Sequence, residues 1–94
     1  MALARVVTFD GVDSARMTEL ANNIENGEAP DGMPPAELMI LHDPTGEKAI
    51  AVLIVDNEDD YATAHEVMES MPSDGTPGNR TSVTKTNVAV RMKN

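Results

Sequence analysis

The stretch from Glu37 to Asp56, ELMILHDPTGEKAIAVLIVD, constrains the chain more than any other. Two apolar runs flank a polar link in which Asp43 stands first, Pro44 second and Gly46 fourth. That order suits a type I turn, with Gly46 able to take positive φ as a bulge. The stretch reads as a β-hairpin, with His42 expected opposite Lys48, Ile40 opposite Ile50 and Leu38 opposite Val52. Side chains alternate between the faces of a strand. Leu38, Ile40, Ile50, Val52 and Ile54 are then expected on one face, and Met39, Leu41, Ala49, Ala51, Leu53 and Val55 on the other. Both faces are apolar. One layer of helices covers only one of them, and each large side chain left in water forgoes roughly 1.5–3 kcal/mol of burial. A second copy of the chain is the simplest cover, so a homodimer with sheets packed face to face is expected.

The rest of the chain supplies that helical layer. LARVVTF (Leu3–Phe9) is short and β-branched and ends at Asp10-Gly11, as a strand does. Val12, Met17, Leu20, Ala21 and Ile24 recur at helical spacing, with Asp13 or Ser14 to cap the start and Gly27 to mark the end. The proline-rich Glu28–Pro35 is a loop. After the hairpin, Asp56-Asn57 caps a second helix whose first turn holds Glu58, Asp59 and Asp60 at the favourable end of the dipole. Its apolar stripe is Tyr61, Ala64, His65, Met68 and Met71. A loop from Pro72 to Arg80 leads to a last strand, TSVTKTNVAVRM. The order β-α-β-β-α-β predicts an α+β ferredoxin-like domain over residues 1–94, a four-stranded antiparallel sheet with both helices on one face.

Charge and composition narrow the partners. Sixteen acids against seven bases leave a net charge of −9, which opposes phosphate backbones and anionic membranes, so neither nucleic acid nor membrane is an expected partner. The longest apolar run, AIAVLIV, is far short of the roughly 20 residues that cross a bilayer. With no secretory leader pattern at its start, the chain is expected in the cytoplasm. There is no cysteine, hence no disulfide, thiolate metal site or cysteine nucleophile. Arg80, Lys85, Arg91 and Lys93 form a basic C-terminal segment, expected to balance charge across strands.

The element order, the passage LHDPTGEKAIAVLIVDNEDDY and the closing PGNRTSVTKTNVAVRM together resemble the dimeric α/β-barrel superfamily over nearly the whole chain. Their wording is also similar to small bacterial proteins of unassigned function. The resemblance implies a two-fold dimer. It also offers several activities: cofactor-independent monooxygenases, haem-degrading enzymes and stress-responsive barrels. The quinone-forming monooxygenases place tryptophan, histidine and asparagine around a bound phenol, and the haem-degrading members pair a tryptophan with an axial histidine. This chain has no tryptophan, one tyrosine and one phenylalanine, so it departs from both patterns. A fold of this kind hosts many functions, and the site decides among them.

Candidate site residues are few. His42 and Asp43 are adjacent in an extended strand and point to opposite faces, so they form no dyad; Asp43 is explained by the turn. His42 alternates with Leu38 and Ile40 and is the candidate base at the mouth of a cavity, or else the end of a hairpin. Arg5, Asn87 and Arg91 are the polar side chains best placed to reach a bound ligand, although Arg5 can equally pair with an acid. HEVME (His65–Glu69) lacks the second histidine of a zinc-protease helix, which makes His65 a flank of the core stripe and Glu69 a solvated acid. DNEDDY has Tyr61 where a calcium loop needs glycine, and is a helix start. No metal or cofactor is expected. Two functional readings follow. One is a small homodimeric module that binds a small organic ligand; the other is a cofactor-independent monooxygenase or isomerase with His42 as base.

Overall fold

A computed structural model of the chain describes residues 2–70 and 78–93; the expected positions of Met1, Met71 and loop residues 72–77 lie outside them. The elements follow in the order β1 (Leu3–Asp10), α1 (Ser14–Asn26), β2 (Glu37–Asp43), β3 (Lys48–Val55), α2 (Glu58–Glu69) and β4 (Asn79–Asn87). The strands form one antiparallel sheet in the order β2-β3-β1-β4. This is an α+β ferredoxin-like fold. Both helices start as the residues suggest. Asp13 caps α1 by accepting from the Arg16 N–H at 2.7 Å, and Asn57 caps α2 by accepting from the Asp60 N–H at 2.8 Å. Helix α1 stops at Gly27, where a Cβ would stand 2.7 Å from the Asn23 carbonyl oxygen.

Pairing fixes the faces. Leu3, Arg5, Val7 and Phe9 of β1 lie in register with Val55, Leu53, Ala51 and Ala49 of β3 and are all buried. Tyr61 and Ala64 of α2 pack on Leu3, Leu53 and Val55, while Met17 of α1 packs on Val7, Phe9, Val12 and Ala49. Both helices therefore share this face.

The hairpin register corrects the sequence expectation by one residue. Asp43 pairs with Lys48, His42 with Ala49, Ile40 with Ala51 and Leu38 with Leu53. The link is one residue longer than the turn pattern implied, and the residue with positive φ is Glu47 (φ 53°) rather than Gly46. Two distant contacts explain the choice. Val12 N–H donates to the Glu47 carbonyl at 2.7 Å, and Val12 O accepts from His42 at 2.8 Å, so the hairpin end is latched to the entrance of α1. A slip of one residue exchanges the faces of one strand against the other. As a result Ala49 and Ala51 face the helices together with Leu38, Ile40 and His42, while Ile50, Val52 and Ile54 join Met39 and Leu41 on the other face.

Strand β4 also differs at both ends. It begins at Asn79 and ends at Asn87, opposite Leu3, the first residue of β1. Beyond it, among the described residues, only Val88 finds a backbone acceptor, the Ala2 carbonyl at 3.0 Å. The alternating Val88, Val90 and Met92 read as strand, but among the described residues no neighbouring strand extends far enough to pair with them. A bulge between Thr8 and Phe9 leaves Thr81 unpaired, and its hydroxyl turns back to the Thr8 carbonyl at 3.2 Å.

Candidate functional site

The two helices meet the sheet differently, and the functional groups divide accordingly. On the α2 side the space is filled. Tyr61 and Ala64 are buried, and beside them Arg5, only 5% exposed, is surrounded by side-chain partners. Its Nε–H donates to His65 Nδ1 at 3.1 Å and its guanidinium meets Glu69 Oε1 at 2.7 Å. Arg80 of β4 reaches the same oxygen at 2.6 Å. The His65 ring stacks on Tyr61 at 6.2 Å, and Lys85 lies 5.1 Å from the Tyr61 ring centre while bonding Glu58 at 2.5 Å. Glu69 is exposed, as a solvated acid is, but it also carries two arginine partners. Arg80 first, and Arg5 beside it, hold its carboxyl below the ordinary value of 4.5, against an opposing push from desolvation. This cluster ties α2 to β1 and β4. Its cations are matched with acids, as the basic segment suggested, though the acids of Arg80 and Lys85 come from the helix rather than a neighbouring strand.

On the α1 side the space is open. Helix α1 buries only Leu20, and beneath it lies a cleft of about 860 Å³. Its floor is Leu38, Ile40, Ala51 and Leu53 of the sheet, its roof Leu20 and Ile24 of α1, and Met33 and Met68 close the far end. The register explains the room: an alanine stands opposite Ile40 where the other register would have put an isoleucine. Voids of this size are foreign to close-packed interiors, whereas binding sites of roughly 300–1,000 Å³ with apolar walls are common. A smaller cleft of about 370 Å³ continues along β2 and shares Ile24, Leu38 and Ile40 with the first.

His42 lines the smaller cleft. A carbonyl only accepts, so His42 Nε2–H is the donor in the 2.8 Å contact with Val12 O. Among the described residues no protein group meets the other ring nitrogen, Nδ1. Arg16, Asn23 and Glu28 are the polar side chains of the larger cleft. Sequence reasoning did not single them out, since all three read as ordinary helix-surface or loop residues.

Of the four candidates from the sequence, only His42 reaches a cleft. Arg5 is held by His65 and Glu69, Asn87 ends β4, and Arg91 pairs with Glu37 across the end of the sheet. None of these three lines either cleft. Among the described residues no group of three or more His, Asp or Glu side chains could hold a metal, and no helix is long and apolar enough to cross a membrane. Comparison with protein-family models, curated proteins and solved structures returned no match to this chain.

Proposed function

We propose that the chain is a cytoplasmic homodimeric module of the dimeric α/β-barrel kind that binds a small organic ligand in the cleft beneath α1. The observation that carries this reading is the cleft itself: about 860 Å³ of mainly apolar space with few polar groups at its edge. Dimerisation draws on the opposite face of the sheet. Met39, Leu41 and Ile50 are 37–48% exposed there, and Val90 and Met92 are more exposed still. Face-to-face pairing of two sheets would remove the three sheet residues from water. The strand positions on this face are apolar or hydroxyl-bearing except near the strand ends, so two chains of charge −9 can meet there without bringing many acids together.

Native mass spectrometry of gently purified protein tests both parts. The expected species is twice the 10.1 kDa chain mass, carrying a reproducible small organic adduct. A monomer would overturn the assembly. A dimer that stays empty when challenged with a panel of apolar small molecules would overturn the ligand.

A second reading, a cofactor-independent monooxygenase or isomerase, is favoured by one observation: His42 lines the smaller cleft, and no described protein group meets its Nδ1. In that case His42→Ala abolishes turnover of the recovered ligand while His65→Ala retains it. Equal turnover in both variants would remove His42 as the base.

A further inference from the structure

The shape and polarity of the two clefts together say more about the ligand than either does alone. They share Ile24, Leu38 and Ile40, so they form one trough running beneath α1 along β2. Leu38, Ile40 and His42 lie on the same face of that strand, and the outer two are four residues apart, which places them roughly 13 Å apart along it. The strand residues along this length are apolar up to His42, whose Nδ1 meets no protein group among the described residues.

We propose, resting on the ligand-binding reading above, that the trough takes an elongated apolar molecule bearing a hydroxyl group, with the hydroxyl donating to His42 Nδ1. The argument is one of matching donors to acceptors. With its Nε2–H given to the Val12 carbonyl, the ring has one polar atom left, Nδ1. A hydroxyl brings one donor hydrogen for it and no charge. A carboxylate brings no donor and a negative charge, which Glu25 and Glu28 at the edges of the clefts repel. Arg16 stands on the wall of the larger cleft, but its guanidinium is bonded to Glu19 at 3.1 Å. An ammonium is drawn by Glu25 and Glu28, but it carries three donors and a full charge against apolar walls. An ether or alkane fits the walls but leaves Nδ1 stripped of water and unpaired.

Four probes of similar length separate these cases: 1-octanol, methyl octyl ether, octanoate and octylamine. Each is titrated into the full-length protein and followed by two-dimensional 1H–15N spectra, with long-range imidazole correlations reporting the tautomer of His42. The expected result is that octanol binds about three- to tenfold more tightly than the ether, as one net hydrogen bond implies. The octanol complex should also show His42 protonated at Nε2 and a shifted Nδ1 resonance. His42→Phe should bring the octanol-to-ether ratio close to one. His42→Gln, which supplies an amide donor for Val12 O and a carbonyl acceptor for the ligand, should recover part of it. The wild-type ratio stands even where a variant fails to fold. Equal binding of octanol and ether overturns the hydroxyl assignment while sustaining an apolar cleft. Tighter binding of octanoate or octylamine overturns it in favour of a charged ligand. Binding of none of the four overturns the hydroxyl assignment and the cleft reading together.

Discussion

Helices α1 and α2 occupy equivalent places over one sheet, yet they do opposite things. Helix α2 buries Tyr61 and Ala64 and is held to the sheet by Arg5, Arg80 and Lys85. Helix α1 buries Leu20 alone and roofs a cleft of about 860 Å³. The difference arises under the helices as much as within them. Beneath α2 the sheet presents Leu3, Leu53 and Val55, whose bulk fills the interface; on the α1 side Val7 and Phe9 are buried with Ala49, and the small Ala49 and Ala51 leave room towards β2. A domain of this size has little core, and here it is divided in two: the α2 cluster includes two buried helix residues, whereas the other takes only the partly buried Met17 from α1.

Truncation should show this most strongly. Tyr61→Ala is expected to destabilise the protein by about 3–4 kcal/mol, because a buried aromatic is removed from close-packed surroundings. Leu20→Ala should cost about 2–3 kcal/mol, since it removes a smaller side chain from a site that is also buried. Urea unfolding of both variants measures the difference; equal losses would erase the distinction between the helices.

Filling the two sides gives the next largest contrast. Ala64→Leu forces a larger side chain into a position only 1% exposed and should cost about 1–3 kcal/mol or more. Ala51→Leu has the cleft to grow into and should change stability by less than about 1 kcal/mol while abolishing octanol binding. Thermal unfolding and the octanol titration read the two effects separately.

Acid should loosen the α2 side before the α1 side. The carboxyl of Glu69 is held below 4.5 by Arg80 and Arg5 in the folded chain, so its folded pKa lies under its unfolded one. Its stabilisation is complete above the unfolded value and is lost as pH falls through the lower folded value. Hydrogen exchange below pH 4.5 should therefore show α2 amides losing protection first, and Glu69→Gln should flatten that dependence. Uniform loss along both helices would mean that the arginine cluster does not hold α2.

The smallest effect lies at the hairpin tip. Glu47→Gly relieves a side chain at φ 53° and is expected to stabilise the protein by up to about 1 kcal/mol, with the Asp43–Lys48 pairing unchanged. Nuclear Overhauser contacts between His42 and Ala49 would report that register. A return to His42 opposite Lys48 would show that Glu47 itself selects the longer link.

The origin of each feature separates along the same line. Element order, both helix caps and the two-faced apolar hairpin were legible because each follows from residues a few positions apart. Spacing of 3.6 or 2 marks a helix or a strand, and Asp13 and Asn57 bond groups within one turn. For His42 the sequence left two readings, a cavity mouth and a hairpin end, and it stands at the hairpin end while lining the smaller cleft. Arg5 was ambiguous until His65 and Glu69, sixty and sixty-four residues away, were brought beside it. Tertiary structure alone decided the register of the hairpin, and with it the cleft. A one-residue choice in the link depends on Val12 meeting Glu47 and His42, and local propensity sees neither contact. Periodicity states that a strand has two faces. Which face receives the alanines, and so where the cleft opens, is settled only when distant backbone groups find their hydrogen-bond partners.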